Sequence, residues 1–297
     1  MNQRRALSLL IFFGMWWAFT IPLTKIAVST GHPPLGLILW QLMISGVVMF
    51  LIIRLQGRRL RFDRIAVQHY TVIALLGTIL PNSFSYFAAA QLPAGIMAII
   101  VASVPMFAML IALGIRLEKF SIIRVAGVLL GALSVVVLIG PDASLPEPEK
   151  AVFVLVALVA PLCYGLEGNY ISVKSPPGID PVSALCGASA FGVLICAPLV
   201  WLGNYWVDLS QPWGPPEQAL IVSSLIHALI YSGYIWLVGM TSAVFASQIA
   251  YVVTLGGVFF SALLLSERYS SWVFLALGLM LVGLLLVQPR ESKASAN

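Results

Sequence analysis

Ten stretches of mostly apolar residues follow one another along this chain, at 6–27, 35–53, 69–90, 94–115, 121–140, 151–173, 182–203, 218–238, 243–265 and 271–288. Each is close to the length of about 20 residues that lets an α-helix cross the hydrocarbon core of a bilayer. Only 9% of the 297 residues are charged, against roughly 25% in soluble proteins. That is too little charge to wet the outside of a chain this size, so its solvent is lipid. In lipid every backbone polar group must be satisfied within the segment, which favours helices. The expected fold class is therefore an all-α membrane protein with ten transmembrane helices, and no soluble domain fits between them. The basic start superficially resembles a signal peptide. The run from Ala6 to Ala27 is too long for one and lacks a small-residue cleavage site, so it reads as the first span.

The formal charge of +5 does not point to nucleic acid, because the basic residues sit in short connections between apolar runs. If the N-terminus lies inside, thirteen of the sixteen Lys and Arg fall on that side: Arg4, Arg5, five between Arg54 and Arg64, Arg116, Lys119, Arg124, Lys174, Arg290 and Lys293. Only Lys150 and Arg268 fall outside, while Lys25 lies near the outer end of the first helix. An odd number of helices would spoil this separation. Both termini are expected to be cytoplasmic.

Shifting the sequence by 149 residues superimposes its halves without gaps. Segment 35–53 falls on 184–202, 94–115 on 243–264, and 121–140 on 270–289. Lys25 meets Lys174, Glu118 meets Glu267, and Ser121 meets Ser270. Each half carries five helices, an odd number, so the second must sit upside down relative to the first. The expected division is 1–148 and 149–297, two inverted five-helix repeats. Inverted repeats place a substrate site near the midplane and supply two related conformations for alternating access.

Several blocks are similar to those of one family. They are the Trp-rich first helix (residues 14–20, Gly-Met-Trp-Trp-Ala-Phe-Thr), its closing Lys25-Ile26-Ala27, and two blocks that end the halves. One runs from Pro105 to Glu118, with Gly127 nine residues later; the other runs to Glu267, with Ala276 and Gly283 beyond. On these the chain resembles the drug/metabolite transporter superfamily, in its bacterial ten-helix EamA-type branch. The sequence departs at Thr254, where proline is common, and at Ala276, which replaces a glycine. The resemblance implies an exporter of small metabolites in the bacterial cytoplasmic (inner) membrane, with no cofactor and with a small-molecule substrate and lipids as its partners.

Glu167 is the sharpest candidate for chemistry. It lies seven residues before Lys174, about 10 Å inside the helix end. A carboxylate at that depth costs roughly 2.5–3.5 kcal/mol on insertion scales, so it should face protein or water. Such a group suits a proton carrier or a partner for a substrate ammonium; a structural hydrogen bond, to Asn169 or a tyrosine, is the plainer alternative. Thr78, Asn82 and Ser85 share one face of the third helix, and an offset of 149 turns them into His227, Tyr231 and Tyr234 on the eighth. Two matching polar faces fit the walls of one cavity, bordered by Tyr86 and extended by Ser223; interhelical hydrogen bonding would also account for them. Trp17, Thr20 and Thr24 make a similar stripe on the first helix, with Pro22 placed to break it. Tyr164 stands three residues from Glu167, and Gln248 shares a face with Tyr251. These residues, with Glu167 for proton coupling, form the candidate substrate site.

Other residues read as structural. Lys25 and Lys174 suit anchoring at the interface or contact with their own helix's last carbonyls. Glu118 and Glu267 are expected to pair with Arg116, Arg124 or Arg268. Pro81, Pro105 and Pro161 are placed to kink helices. Gly127, Gly131, Gly278 and Gly283 suit close helix packing, so a homodimer through helices five or ten and a monomer are both compatible. Cys163, Cys186 and Cys196 have no metal-binding spacing. A Walker loop, HExxH, GxSxG and paired intramembrane aspartates are missing, and no enzyme activity is expected. The reading is an alternating-access exporter of amino acids or related amphiphilic amines. A nucleotide-sugar or drug transporter of the same superfamily, and a membrane-embedded lipid-modifying enzyme, are the alternatives.

Overall fold

A computed structural model describes residues 3–29, 31–140, 145, 147–210, 212–241, 245 and 248–287. Ten helical rods occur among the described residues: α1 (Gln3–Val28), α2 (Pro34–Leu55), α3 (Arg64–Gln91), α4 (Ala94–Gly114), α5 (Ile122–Ile139), α6 (Pro148–Lys174), α7 (Pro181–Leu202), α8 (Pro215–Met240), α9 (Ile249–Leu265) and α10 (Ser271–Val287). No strand occurs among the described residues. Seven of the rods are long and apolar enough to cross a membrane, and α9 and α10 are shorter apolar helices. The expected start of the ninth segment, at 243, and the basic residues Arg290 and Lys293 lie outside the described residues. With ten antiparallel rods the chain returns to the face from which it started. That face is here the terminal face, and the other the opposite face.

Large apolar side chains point outward all round the bundle, among them Phe50, Phe87, Leu133, Leu194 and Leu285. The buried side chains, such as Leu37, Ile38, Ile96, Ile99 and Leu138, fill the seams between helices. Lipid is as apolar as these seams, so close approach and interhelical hydrogen bonds must supply the association. Where α5 crosses α10, Gly127 lies against the Gly283 carbonyl. Ser134 Oγ donates to Ala276 O at 2.6 Å, and Arg124 Nε to Val287 O at 3.0 Å. Rising numbers on α5 meet falling numbers on α10, so the two run antiparallel. The same holds for α2 and α7, where Leu42 packs on Gly192 and Gly46 on Ser189. Helices related by the repeat thus face each other head to tail. Likewise α1 packs on α8 and α9, and α6 packs on α3 and α4. The halves are inverted.

Proline shapes three rods. Pro81 has no N–H for the carbonyl four residues back, Gly77. A π-helical turn, Leu75–Ile79, opens just before it and divides α3 into Arg64–Ala74 and Leu80–Gln91. In α4 the helix breaks at Ala102–Ser103, ahead of Pro105, and in α6 at Leu158, ahead of Pro161. Pro22 behaves otherwise: α1 runs unbroken through it.

The connections are clasped in repeat-related fashion at both faces. At the opposite face His32 Nε2 meets Glu217 Oε1 at 2.7 Å; at the terminal face Arg58 meets Asp180 at 3.1 Å. Asp180 also caps α7, accepting from the amides of Val182 and Ser183. Burial raises its carboxyl, but the Ser183 hydroxyl and amide, with Arg58, prevail and hold it below its ordinary value of 3.8. Asp63 caps α3 in the same way.

Candidate functional site

The middle of the bundle gathers polar and aromatic side chains from α1, α2, α3, α6 and α8. Asn82, on α3, is its hub. Its amide donates to Gln41 Oε1 on α2 at 2.9 Å, and its carbonyl accepts from the Tyr164 hydroxyl on α6 at 3.1 Å. Tyr86, one turn further along α3, donates to the same Gln41 oxygen at 2.7 Å. Three helices are thereby tied through two amides and two hydroxyls. Buried amides are costly unless paired, and here the pairing fixes their rotamers.

Facing this network is an aromatic cluster. The Trp17 ring on α1 meets His227, Tyr231 and Tyr234 of α8 edge-on, at centroid distances of 5.8, 6.1 and 5.7 Å. His227 and Tyr231 stack on one another at 6.0 Å. Edge-to-face pairs of this kind are favoured by the ring quadrupoles. All four rings are half-buried.

Between the two walls stands Glu167. It lies on α6 one turn from Tyr164, and both Tyr164 and Tyr231 are within its electrostatic reach. Its carboxylate rests against the bare Cα of Gly77, where a methyl group would overlap it. The π turn around Gly77 therefore makes the seat. Such turns occur often at functional positions, because they aim side chains that an α-helix would direct elsewhere. No described residue gives the Glu167 carboxylate a hydrogen bond or ion pair. Asn169, the expected structural partner, instead donates to the carbonyls of Ala108 and Gly165.

The remaining candidates fall at different distances from this centre. Thr78 sits in the π turn beside Gly77, and Ser85 is half-buried further along α3. Thr20 is buried, with its hydroxyl donating to Trp17 O at 2.6 Å within its own helix. Ser223 likewise bonds to Leu220 O on its own helix. Gln248 is exposed at the start of α9 and is not brought to the centre. Tyr251 has a buried hydroxyl with no hydrogen-bond partner among the described residues. Gln41 and Gly77 were not among the residues expected from sequence. Gln41 was visible as the one amide in the apolar stretch 35–53, and Gly77 as the residue four before Pro81. The cysteines are buried and free. No group of three His, Cys, Asp or Glu able to hold a metal occurs among the described residues.

Two expectations for charged residues need correction. Glu267 does not pair with an arginine; it accepts from the amides of Ala94 and Gly95 at 2.7 and 3.1 Å. Lys25 does not cap its own helix but donates to Ala89 O and Ala90 O of α3, at 2.7 and 3.2 Å. In both cases a neighbouring helix end offers unsatisfied backbone groups closer than the intended partner. Glu118 does pair with Arg124, at 2.8 Å.

An inverted-repeat bundle with an intramembrane carboxylate between a polar and an aromatic wall is the architecture of a membrane transporter. The chain belongs to the EamA-like transporter family, whose model matches residues 4–140 and 152–288, one match in each half. A crystal structure of a protein with 19% sequence identity superposes with a TM-score of 0.62, covering 96% of this chain and 96% of its own. At that identity the likeness shows the fold. No curated protein matches the chain.

Proposed function

We propose that this transporter exports small metabolites that carry an amine and an apolar body, amino acids or related amphiphiles, by alternating access, with Glu167 exchanging a proton for the substrate ammonium. One observation carries the reading: the Glu167 carboxylate sits in the membrane interior with no hydrogen-bond or ion-pair partner among the described residues. An intramembrane charge of that kind needs either a bound proton or a cation to neutralise it. The two states exclude one another, and that exclusion is the basis of exchange. The tyrosine and tryptophan faces would receive the apolar body and, by cation–π attraction, the ammonium edge. Asn82 and Gln41, locked by their mutual bond, would orient the substrate's polar end.

The halves 1–148 and 149–297 are the two repeats, and both contribute helices to each side of the central site. The chain resides in a bacterial inner membrane with both termini cytoplasmic, which makes the terminal face the cytoplasmic one. Gly127, Gly131 and Gly283 are consumed within the chain by the α5–α10 contact and Met106. Gly278, on α10, stands open, and a homodimer and a monomer are both compatible with the bundle.

The decisive experiment is efflux of labelled amino acids and amines from preloaded proteoliposomes, with and without an imposed pH gradient. Protein-dependent efflux that follows the gradient supports the reading. Efflux indifferent to pH keeps the exporter and removes the proton. Failure across the panel, with transport of nucleotide sugars or drugs instead, replaces the substrate class.

A further inference from the structure

The turn between α3 and α4, at the opposite face, is gripped from two sides by charges from other helices. Lys25 holds the last-turn carbonyls of α3, Ala89 and Ala90. Glu267, in the connection between α9 and α10, holds the first amides of α4, Ala94 and Gly95. Each charge sits at the helix end whose partial charge it complements. The Tyr269 hydroxyl donates to Glu267 Oε2 at 2.6 Å, and its ring fills the space that a side chain at position 95 would need. Lys25 and Glu267, with Glu147 and Lys150, line a small cavity of about 210 Å³ beside the turn.

Two features make this grip more than a helix cap. It crosses between the repeats, since Glu267 belongs to the second half and Ala94 and Gly95 to the first. It also ends helices that build the central site: α3 carries Asn82 and Tyr86, and α1, which supplies Lys25, carries Trp17. Glu118, the repeat equivalent of Glu267, pairs with Arg124; the positions equivalent to Ala94 and Gly95, 243 and 244, lie outside the described residues.

We propose that Glu267 is the latch of the gate at the opposite face, pinning the α3–α4 turn to the second half while that face is shut and releasing it when the face opens. The proposal rests on alternating access, because a bond that ties the α3–α4 turn to the α9–α10 connection at that face must break if the two are to part there. Lys25 remains with α3 and moves with the turn. Gly95 is small because the latch needs Tyr269 in its place.

The test needs no substrate. Ser85→Cys, in a chain whose three native cysteines are replaced by alanine, reports access to the site. Labelling by a membrane-impermeant maleimide is timed in oriented proteoliposomes from each side. Glu267→Ala is expected to speed labelling from the opposite face severalfold, and Glu118→Ala to leave that rate unchanged. Equal rates in the parent and Glu267→Ala overturn the latch. Should the alanine variant fail to fold, Glu267→Gln keeps one acceptor oxygen and is expected to give a smaller rise; no rise overturns the proposal equally. Hydrogen exchange at Ala94 and Gly95 separates a gate from a cap, since faster exchange without faster labelling means a cap only and rejects the gate. Absence of amine transport would count against the substrate reading and leave this measurement standing.

Discussion

The α3 wall and the α8 wall occupy equivalent places in the two repeats, yet they carry opposite chemistry. Thr78, Asn82 and Ser85 correspond position by position to His227, Tyr231 and Tyr234. On α3 the central residue is an amide committed to two hydrogen bonds; on α8 it is a ring stacked on one aromatic and met edge-on by another. The backbone scaffold is two-fold, as the antiparallel α5–α10 and α2–α7 contacts show, but the site inside it is not. The difference teaches that the repeat supplies geometry and the side chains supply polarity. A cavity with one polar and one aromatic wall can hold an amphiphile in one orientation, which two identical walls could not impose.

The comparison can be broken at its centre first. Glu167→Gln keeps the shape between the walls and removes the titrating group. The expected outcome is complete loss of the pH-gradient response in proteoliposome efflux; unaltered coupling would take Glu167 out of the mechanism. The next largest effect is expected on the aromatic wall. Tyr231→Ala should raise KM for amine efflux about tenfold, from the loss of roughly 1.5 kcal/mol of ring contacts, while Tyr231→Phe should stay near the parent. If the phenylalanine variant is equally impaired, the wall acts through its hydroxyl and the contrast with α3 fails.

The polar wall should answer in stability as well as transport. Asn82→Leu strands the Gln41 and Tyr164 groups that now pair with it. A cost of about 0.6–1.7 kcal/mol is expected, the range for interhelical hydrogen bonds in membranes, read as a lowered unfolding midpoint in detergent. A neutral result would show that the amide network adds nothing to the packing of α3. The smallest effect concerns a feature the two faces share. The Asp180 carboxyl is held below its ordinary value of 3.8, so the stability it contributes is complete above that pH and fades as pH falls through the lower folded value. Asp180→Asn should flatten the acid limb of the stability profile below about pH 4 without changing the plateau's shape. An unchanged acid limb would mean that other carboxylates set it.

Much of the fold was legible in the sequence. Runs of apolar residues at span length, parted by Pro, Gly and charge, leave an α-helical membrane bundle as the consistent outcome, and the 149-residue register of Lys25, Glu118 and Ser121 with their counterparts declared the repeat. The facing polar positions on α3 and α8, the stripe at Trp17 and the isolated Glu167 were also legible, because a polar side chain in an apolar helix is costly enough to signify. Which of them meet was not. Gln248 and Tyr251 share a helical face in the sequence, but α9 begins at Ile249, leaving Gln248 exposed at its start. Gln41 is a single amide in an apolar stretch, and only the fold brings Asn82 and Tyr86 to it.

The sequence by itself determined the solvent, the helices and their inverted repeat, because hydrophobicity, periodicity and the 149-residue register are properties read along the chain. The tertiary structure alone decided that Glu167 rests on Gly77, that Glu267 takes the amides of α4 rather than an arginine, and that Lys25 serves α3 rather than α1. Those choices depend on which unsatisfied group of another helix lies within about 3 Å. A linear pattern carries no distances between segments that meet only after the bundle has closed.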